Sequence, residues 1–215
     1  WLSFPYFFRV GAAAMLDMQV TFFFLLAIVL TLVLLRVPTY WLALAIGLVI
    51  GAGLLSKYTM ILVCPVLVGA VALTDPTGAF RRLLLHGGIV ILISAGMLGA
   101  WLIYAFSTDV LTAQTETVTR YAATTLRGSL FLLETLFTRL PSALGVYTLP
   151  LLVVGGATLL RDKGRSDRFV LFWIAAVFLP LFLTLPDPRY FMPAFPALAL
   201  MMARGLESFA EATEQ

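Results

Sequence analysis

Seven apolar runs, each close to the length of a bilayer crossing, follow one another along this chain with short polar breaks between most of them. They cover residues 19–36, 40–56, 58–74, 84–106, 142–160, 169–185 and 190–206. A helix needs about 20 mostly apolar residues to cross the hydrocarbon of a membrane. Within that layer every backbone N–H and C=O must find its partner inside the protein. The runs are continuously apolar and do not alternate over about ten residues, which favours helices over barrel strands. The expected fold is therefore all-α, a polytopic transmembrane helix bundle of about seven spans. It forms a single membrane domain over 1–215, with an outer segment 1–18 and one long outer loop, 107–141. Composition agrees: 61% of residues are hydrophobic and 12% charged, against about 25% charged in an ordinary soluble domain.

The short loops orient the bundle. RDKGRSDR at 161–168 and FRR at 80–82 concentrate basic residues between spans, and such clusters stay on the cytoplasmic side. This puts the C-terminus in the cytoplasm and Asp17, Lys57 and Arg189 on the opposite face. The expected location is a bacterial plasma membrane, as a multi-pass protein. A net charge of +3 carries no signal for a nucleic-acid partner, and none is expected. In the long loop, LFLLETLFTRL reads as a helix lying in the interface, with Glu134 and Arg139 turned to water. GLVIG at 47–51, Gly53 and SAGMLG at 94–99 read as helix-contact surfaces. ESFAEATEQ reads as a short solvated extension after the last span. Cys64, within ILVCPVLV, reads as a small buried hydrophobe, and a single cysteine excludes an internal disulfide.

Charged groups at span edges are costly and mark function by default. Asp17 stands at the head of the first run with no base within one helical turn. It can pair with another helix, bind a metal, act on a substrate, or simply cap the positive end of its own helix. Lys57 occupies a tight outer turn, as an interface anchor or as a point charge for a lipid phosphate. Arg189 lies in LPDPRYFMPAFPAL, where Pro186 and Pro188 stop the preceding helix and leave an ordered non-helical turn. A guanidinium there can fork onto phosphate oxygens or pair with Asp187. Tyr190 sits at aromatic-belt depth. His86 is the only histidine and reads as an interface residue, so a His-based metal cluster or triad is not expected. The P-loop, CxxC and HExxH patterns are missing. Both lysines, Lys57 and Lys163, lie in loops, which leaves none for a Schiff base in the seventh run.

Three stretches carry a family resemblance. FFRVGAAAMLDMQVTFFFLLAI, GAGLLSKYTMILVCPVL and PDPRYFMPAFPALALMMARGL resemble, in order, three segments of GT-C type polyprenol-phosphate-sugar glycosyltransferases, relatives of the protein O-mannosyltransferases and the lipid A aminoarabinose transferase. The resemblance implies a GT-C-like fold and transfer of a sugar from a polyprenyl-phosphate donor to an acceptor hydroxyl on the non-cytoplasmic face. It implies that Lys57, Arg189 and Tyr190 bind the donor phosphate, with Arg9 and Tyr58 in support. Asp17 matches the family's second, supporting acid. The principal acid of the family lies in an outer loop upstream, which implies further spans before Trp1. Members differ in using a divalent ion, so the resemblance allows a metal cofactor without naming its ligands. The implied partners are the lipid donor and membrane lipids. A second reading is a non-catalytic accessory subunit, of this ancestry, in a complex with other membrane subunits. A third is a transporter or lipid-binding protein that uses the same charged face.

Overall fold

The computed structural model describes residues 16–74, 79–107, 134, 138, 144–162, 164–184 and 188–213. Among them are seven α-helices and no strand: α1 (Leu16–Arg36), α2 (Tyr40–Ser56), α3 (Val63–Thr74), α4 (Ala79–Ser107), α5 (Leu149–Asp162), α6 (Arg165–Thr184) and α7 (Phe195–Thr213). Short 3₁₀ segments at Tyr58–Leu62, Val146–Thr148 and Pro188–Ala194 lead into α3, α5 and α7. The fold is all-α, as expected. Two helical stretches are long and apolar enough to cross a membrane, Asp17–Arg36 with mean hydropathy 2.6 and Leu84–Ser107 with 2.2. The outer segment through residue 15 and nearly all of the loop 107–141 lie outside the described residues. Of the proposed interfacial helix only Glu134 and Thr138 are described, and both are exposed.

Helix ends follow local chemistry. Pro38 cannot continue α1, and the hydroxyl of Thr39 accepts from the Leu42 N–H at 3.3 Å to cap α2. Two expectations about the ends are corrected. The last run is broken in two, because Pro193 and Pro196 cannot donate the N–H bonds of a continuous α-helix. The expected non-helical turn at Arg189 is thereby a 3₁₀ helix from Pro188. ESFAEATEQ is exposed over most of its described length, as expected, and there it continues α7 through Thr213.

The core gathers where Phe24 of α1, Trp173 of α6 and the buried 3₁₀ segment meet. Phe24 stacks on Trp173 with centroids 6.3 Å apart, and Phe178 stacks on Phe191 at 4.7 Å. The Trp173 indole N–H donates to the Pro193 carbonyl at 3.1 Å, satisfying a polar atom the chain would otherwise bury unpaired. Phe191, Met192, Ala194 and Phe195 are fully buried, so this segment is anchored from within. Cys64 is exposed, which corrects the expectation of a buried thiol. Val63 and Val66 take the inward positions of that turn.

Two helix pairs run parallel, each with an oppositely directed helix between them in sequence. In the first, a Cβ on Gly47 would meet Ile93 and one on Gly51 would meet Met97, while Tyr40 stacks on His86 at 5.4 Å. These contacts keep one offset along α2 and α4. In the second, Gly155 and Gly205 let α5 and α7 touch backbone to backbone, and the Thr158 and Ser208 hydroxyls share a hydrogen bond of 2.9 Å. Gly47, Gly51 and Gly53 are contact positions as expected, whereas Gly96 and Gly99 of SAGMLG face open space. α4 is the outlier: only 11% of its apolar stretch is buried, and Ile91, Leu92, Ile103 and Phe106 are exposed.

Helix direction sorts the charges to two poles. Asp17 and Arg36 stand at opposite ends of α1, about 30 Å apart at 1.5 Å per residue. Arg165 opens α6, whose far end leads back to Tyr190. A Cβ on Gly155 would stand 1.8 Å from the Met201 carbonyl oxygen, so Gly155→Ala is expected to lower stability by about 1–3 kcal/mol or more through overpacking. Gly96→Ala, made in open space, is expected to hold or raise the melting temperature. Thermal denaturation followed by circular dichroism compares the two.

Candidate functional site

Lys57 owes its position to a backbone break. It ends α2 in an extended conformation (φ −164°, ψ 136°), and its N–H still reaches the Gly53 carbonyl at 2.9 Å. Its own carbonyl accepts from Met60 at 3.1 Å and starts the 3₁₀ turn. The side chain therefore leaves the axis of α2 sideways instead of continuing along it. It meets Asp17, the second residue of α1, in an ion pair in which Nζ donates to Oδ1. The Tyr190 ring lies under the same ammonium, 4.1 Å from Nζ to the centroid. Three segments far apart in the chain converge on one cation.

The pair is largely withdrawn from solvent, with side-chain exposures of 17% for Lys57 and 8% for Asp17. Removing such charges from water costs several kcal/mol per ion unless each is well partnered. Asp17 is held further by its helix: the buried Thr21 hydroxyl donates to the Asp17 carbonyl at 2.7 Å. An ammonium has three donors. Asp17 takes one and the tyrosine face attracts the charge electrostatically, which leaves donor capacity on the exposed side. Beside the pair, an open cleft of about 430 Å³ is lined by Met18, Phe22 and Phe23 of α1 with Gln19 and Ser56. Met18 and Ser56 are the immediate chain neighbours of Asp17 and Lys57, so the cleft and the charges share a rim.

The structure thus brings together Asp17, Lys57 and Tyr190. The base on the helix of Asp17 itself, Arg36, stands at the far end, and the partner of Asp17 comes from the end of α2. Arg189 precedes Tyr190 in the same 3₁₀ turn and Tyr58 follows Lys57, but both side chains lie outside the described residues, as does Arg9 altogether. Among the described residues no group of three or more His, Cys, Asp or Glu is placed to hold a metal ion. His86 sits at the opposite pole, half-buried against Tyr40, with its Nδ1 buried and unbonded.

One residue was missed by sequence reasoning. Arg204 links α7 to the end of α5 and the first turn of α6, reaching Asp162 at 3.3 Å and Asp167 at 3.5 Å, and it also holds Glu207 of its own helix at 2.9 Å. Only the Glu207 contact, at i,i+3 spacing, leaves a trace in the sequence.

Breaking the buried pair from one side strands a charge. Asp17→Asn and Lys57→Met are each expected to cost about 3–5 kcal/mol, while the double variant Asp17→Leu/Lys57→Met recovers most of that loss. A double-mutant cycle from denaturation midpoints gives the coupling. No protein-family model, curated protein or solved structure matches the chain.

Proposed function

We propose that this chain is embedded in a membrane through all seven helices and serves as a membrane glycosyltransferase of the lipid-phosphate-sugar type. It moves a sugar from a polyprenyl-phosphate donor to an acceptor hydroxyl on the non-cytoplasmic face. The observation that carries this reading is the convergence of Lys57, Asp17 and Tyr190 at the mouth of an apolar cleft. A single ligand with a phosphate head and a long hydrocarbon tail fits both parts. Its phosphate meets the exposed side of the Lys57 ammonium, and Arg189, one residue before Tyr190 in the chain, is the second cation that the family resemblance implies for it. Its prenyl chain follows Met18, Phe22 and Phe23 toward lipid.

In the transfer, the acceptor oxygen forms a bond to the anomeric carbon and the bond from that carbon to the phosphate oxygen breaks. The lipid phosphate leaves with the electron pair, and a carboxylate takes the acceptor proton. Fixed cations at the leaving group stabilise the charge that develops there. Asp17 is a positioning residue in this scheme. Buried and paired, it holds the Lys57 ammonium in place, and the proton goes to another acid, as the family resemblance implies. The engagement of Asp17 by Lys57 also favours a second reading, a donor-binding accessory subunit without its own general base.

Labelling by a photoreactive polyprenyl phosphate in reconstituted vesicles tests the proposal. Unlabelled polyprenyl phosphate is expected to compete and neutral polyprenol is not. Lys57→Met is expected to weaken labelling about 10- to 100-fold, the worth of a charge-assisted hydrogen bond. Equal competition by polyprenol would sink the proposal. Phosphate-selective labelling without sugar transfer in the same vesicles selects the accessory reading.

A further inference from the structure

We infer that Arg161, Arg165 and Arg168 form a docking patch for anionic phospholipid headgroups at the pole opposite Lys57. The inference rests on the membrane embedding proposed above and is independent of sugar transfer. All three arginines are exposed, and none has an ion pair or side-chain hydrogen bond among the described residues. The acids of the same loop are turned away from them. Asp162 and Asp167 both face Arg204, from α7, and Asp167 also accepts from the Gly164 N–H at 3.2 Å. Glu207 is bound to Arg204 as well. One arginine from α7 thus engages all three acids directly, and together with Arg161, Arg165 and Arg168 the arginines here outnumber those acids by four to three, which leaves the cluster net positive.

Helix energetics do not account for two of them. Arg165 and Arg168 stand in the first turn of α6, where the helix dipole disfavours cations. Asp167 is the acid of that turn, and an anion outside the chain against the two exposed arginines would add to the stability of this helix end. The surface beside Arg165, the member of the trio that lines it, is suited to a lipid. A cleft of about 450 Å³ opens there, with Leu159, Val170 and Leu200 on its apolar side and Arg165 and Arg204 on its polar side; Asp167 and Glu207, which also border it, are the acids that Arg204 holds. Guanidinium groups above apolar side chains match the boundary between phosphate and acyl chain. Juxtamembrane basic clusters of this kind bind anionic leaflets.

The test is the thermal stability of the purified chain in neutral detergent with added phosphatidylglycerol or phosphatidylcholine. Phosphatidylglycerol is expected to raise the midpoint and phosphatidylcholine to leave it unchanged. The apparent affinity for phosphatidylglycerol is expected to fall about fivefold for each arginine replaced by glutamine. The triple variant Arg161→Lys/Arg165→Lys/Arg168→Lys keeps most of the effect, because the charge remains. Raising the salt to 1 M, where the screening length is about 3 Å, is expected to abolish it. Equal stabilisation by both lipids, or a gain that survives the triple glutamine variant, overturns the inference. If that variant does not accumulate, the salt titration of the wild-type chain decides, and a salt-insensitive gain overturns it. Competition by polyglutamate as effective as that by phosphatidylglycerol overturns it in favour of an acidic protein partner. Release of the wild-type chain from phosphatidylcholine vesicles by carbonate counts against membrane embedding and leaves the patch to the other arms.

Discussion

The ion pair between Asp17 and Lys57 ties the head of α1 to the end of α2, and the geometry of that pole follows from it. A lysine at a helix end can ordinarily swing through solvent. This one is drawn inward by a carboxylate on one side and the Tyr190 ring on the other. The ring belongs to a 3₁₀ segment that is itself anchored by buried Phe191 and Phe195 and by the bond from Trp173 to Pro193. The charged site therefore stands on the aromatic core through one residue, Tyr190.

The opposite pole is built on a different rule. There the acids are gathered by Arg204 and the remaining arginines are left outward. Among the described residues, one pole buries a single cation against a single anion, and the other holds a largely exposed set of acids around Arg204 beside three arginines without an ion pair. Between them lie the apolar flanks of the helices, most exposed along α4. A molecule with this axial arrangement of charge is suited to a medium whose two boundaries differ.

The helices were legible where local chemistry sets them. Thr39 and Lys57 bracket α2 at the residues expected, and Arg36 closes α1. The faces of those helices were not. A helix that is apolar all round carries no periodic signal for its inward side, so Cys64 was assigned to the core and lies outside it. The same loss of signal hid Gly155 and Gly205, which look no more purposeful in sequence than Gly96 and Gly99, and only the first two sit at a crossing. Of the candidate site, the residues could be nominated singly, by charge at a span edge. That Asp17 and Lys57 pair with each other is a tertiary fact across 40 residues, and no local pattern encodes it. Arg204 was hidden for a similar reason, since its partners Asp162 and Asp167 lie on other helices, at the end of α5 and the start of α6.

The crossing of α5 and α7 has a consequence for how the chain assembles. Its marker contact, Thr158 with Ser208, joins residues 50 apart, and α6 lies between them in sequence. As the polypeptide is made, α5 comes first and its glycine notch stays open while α6 is added. The notch closes when α7 arrives, and the same event brings Arg204 to Asp162 and Asp167. The last described helix is thus the closing piece of this half of the bundle, filling the tightest crossing and bringing a cation to Asp162 and Asp167 in one step.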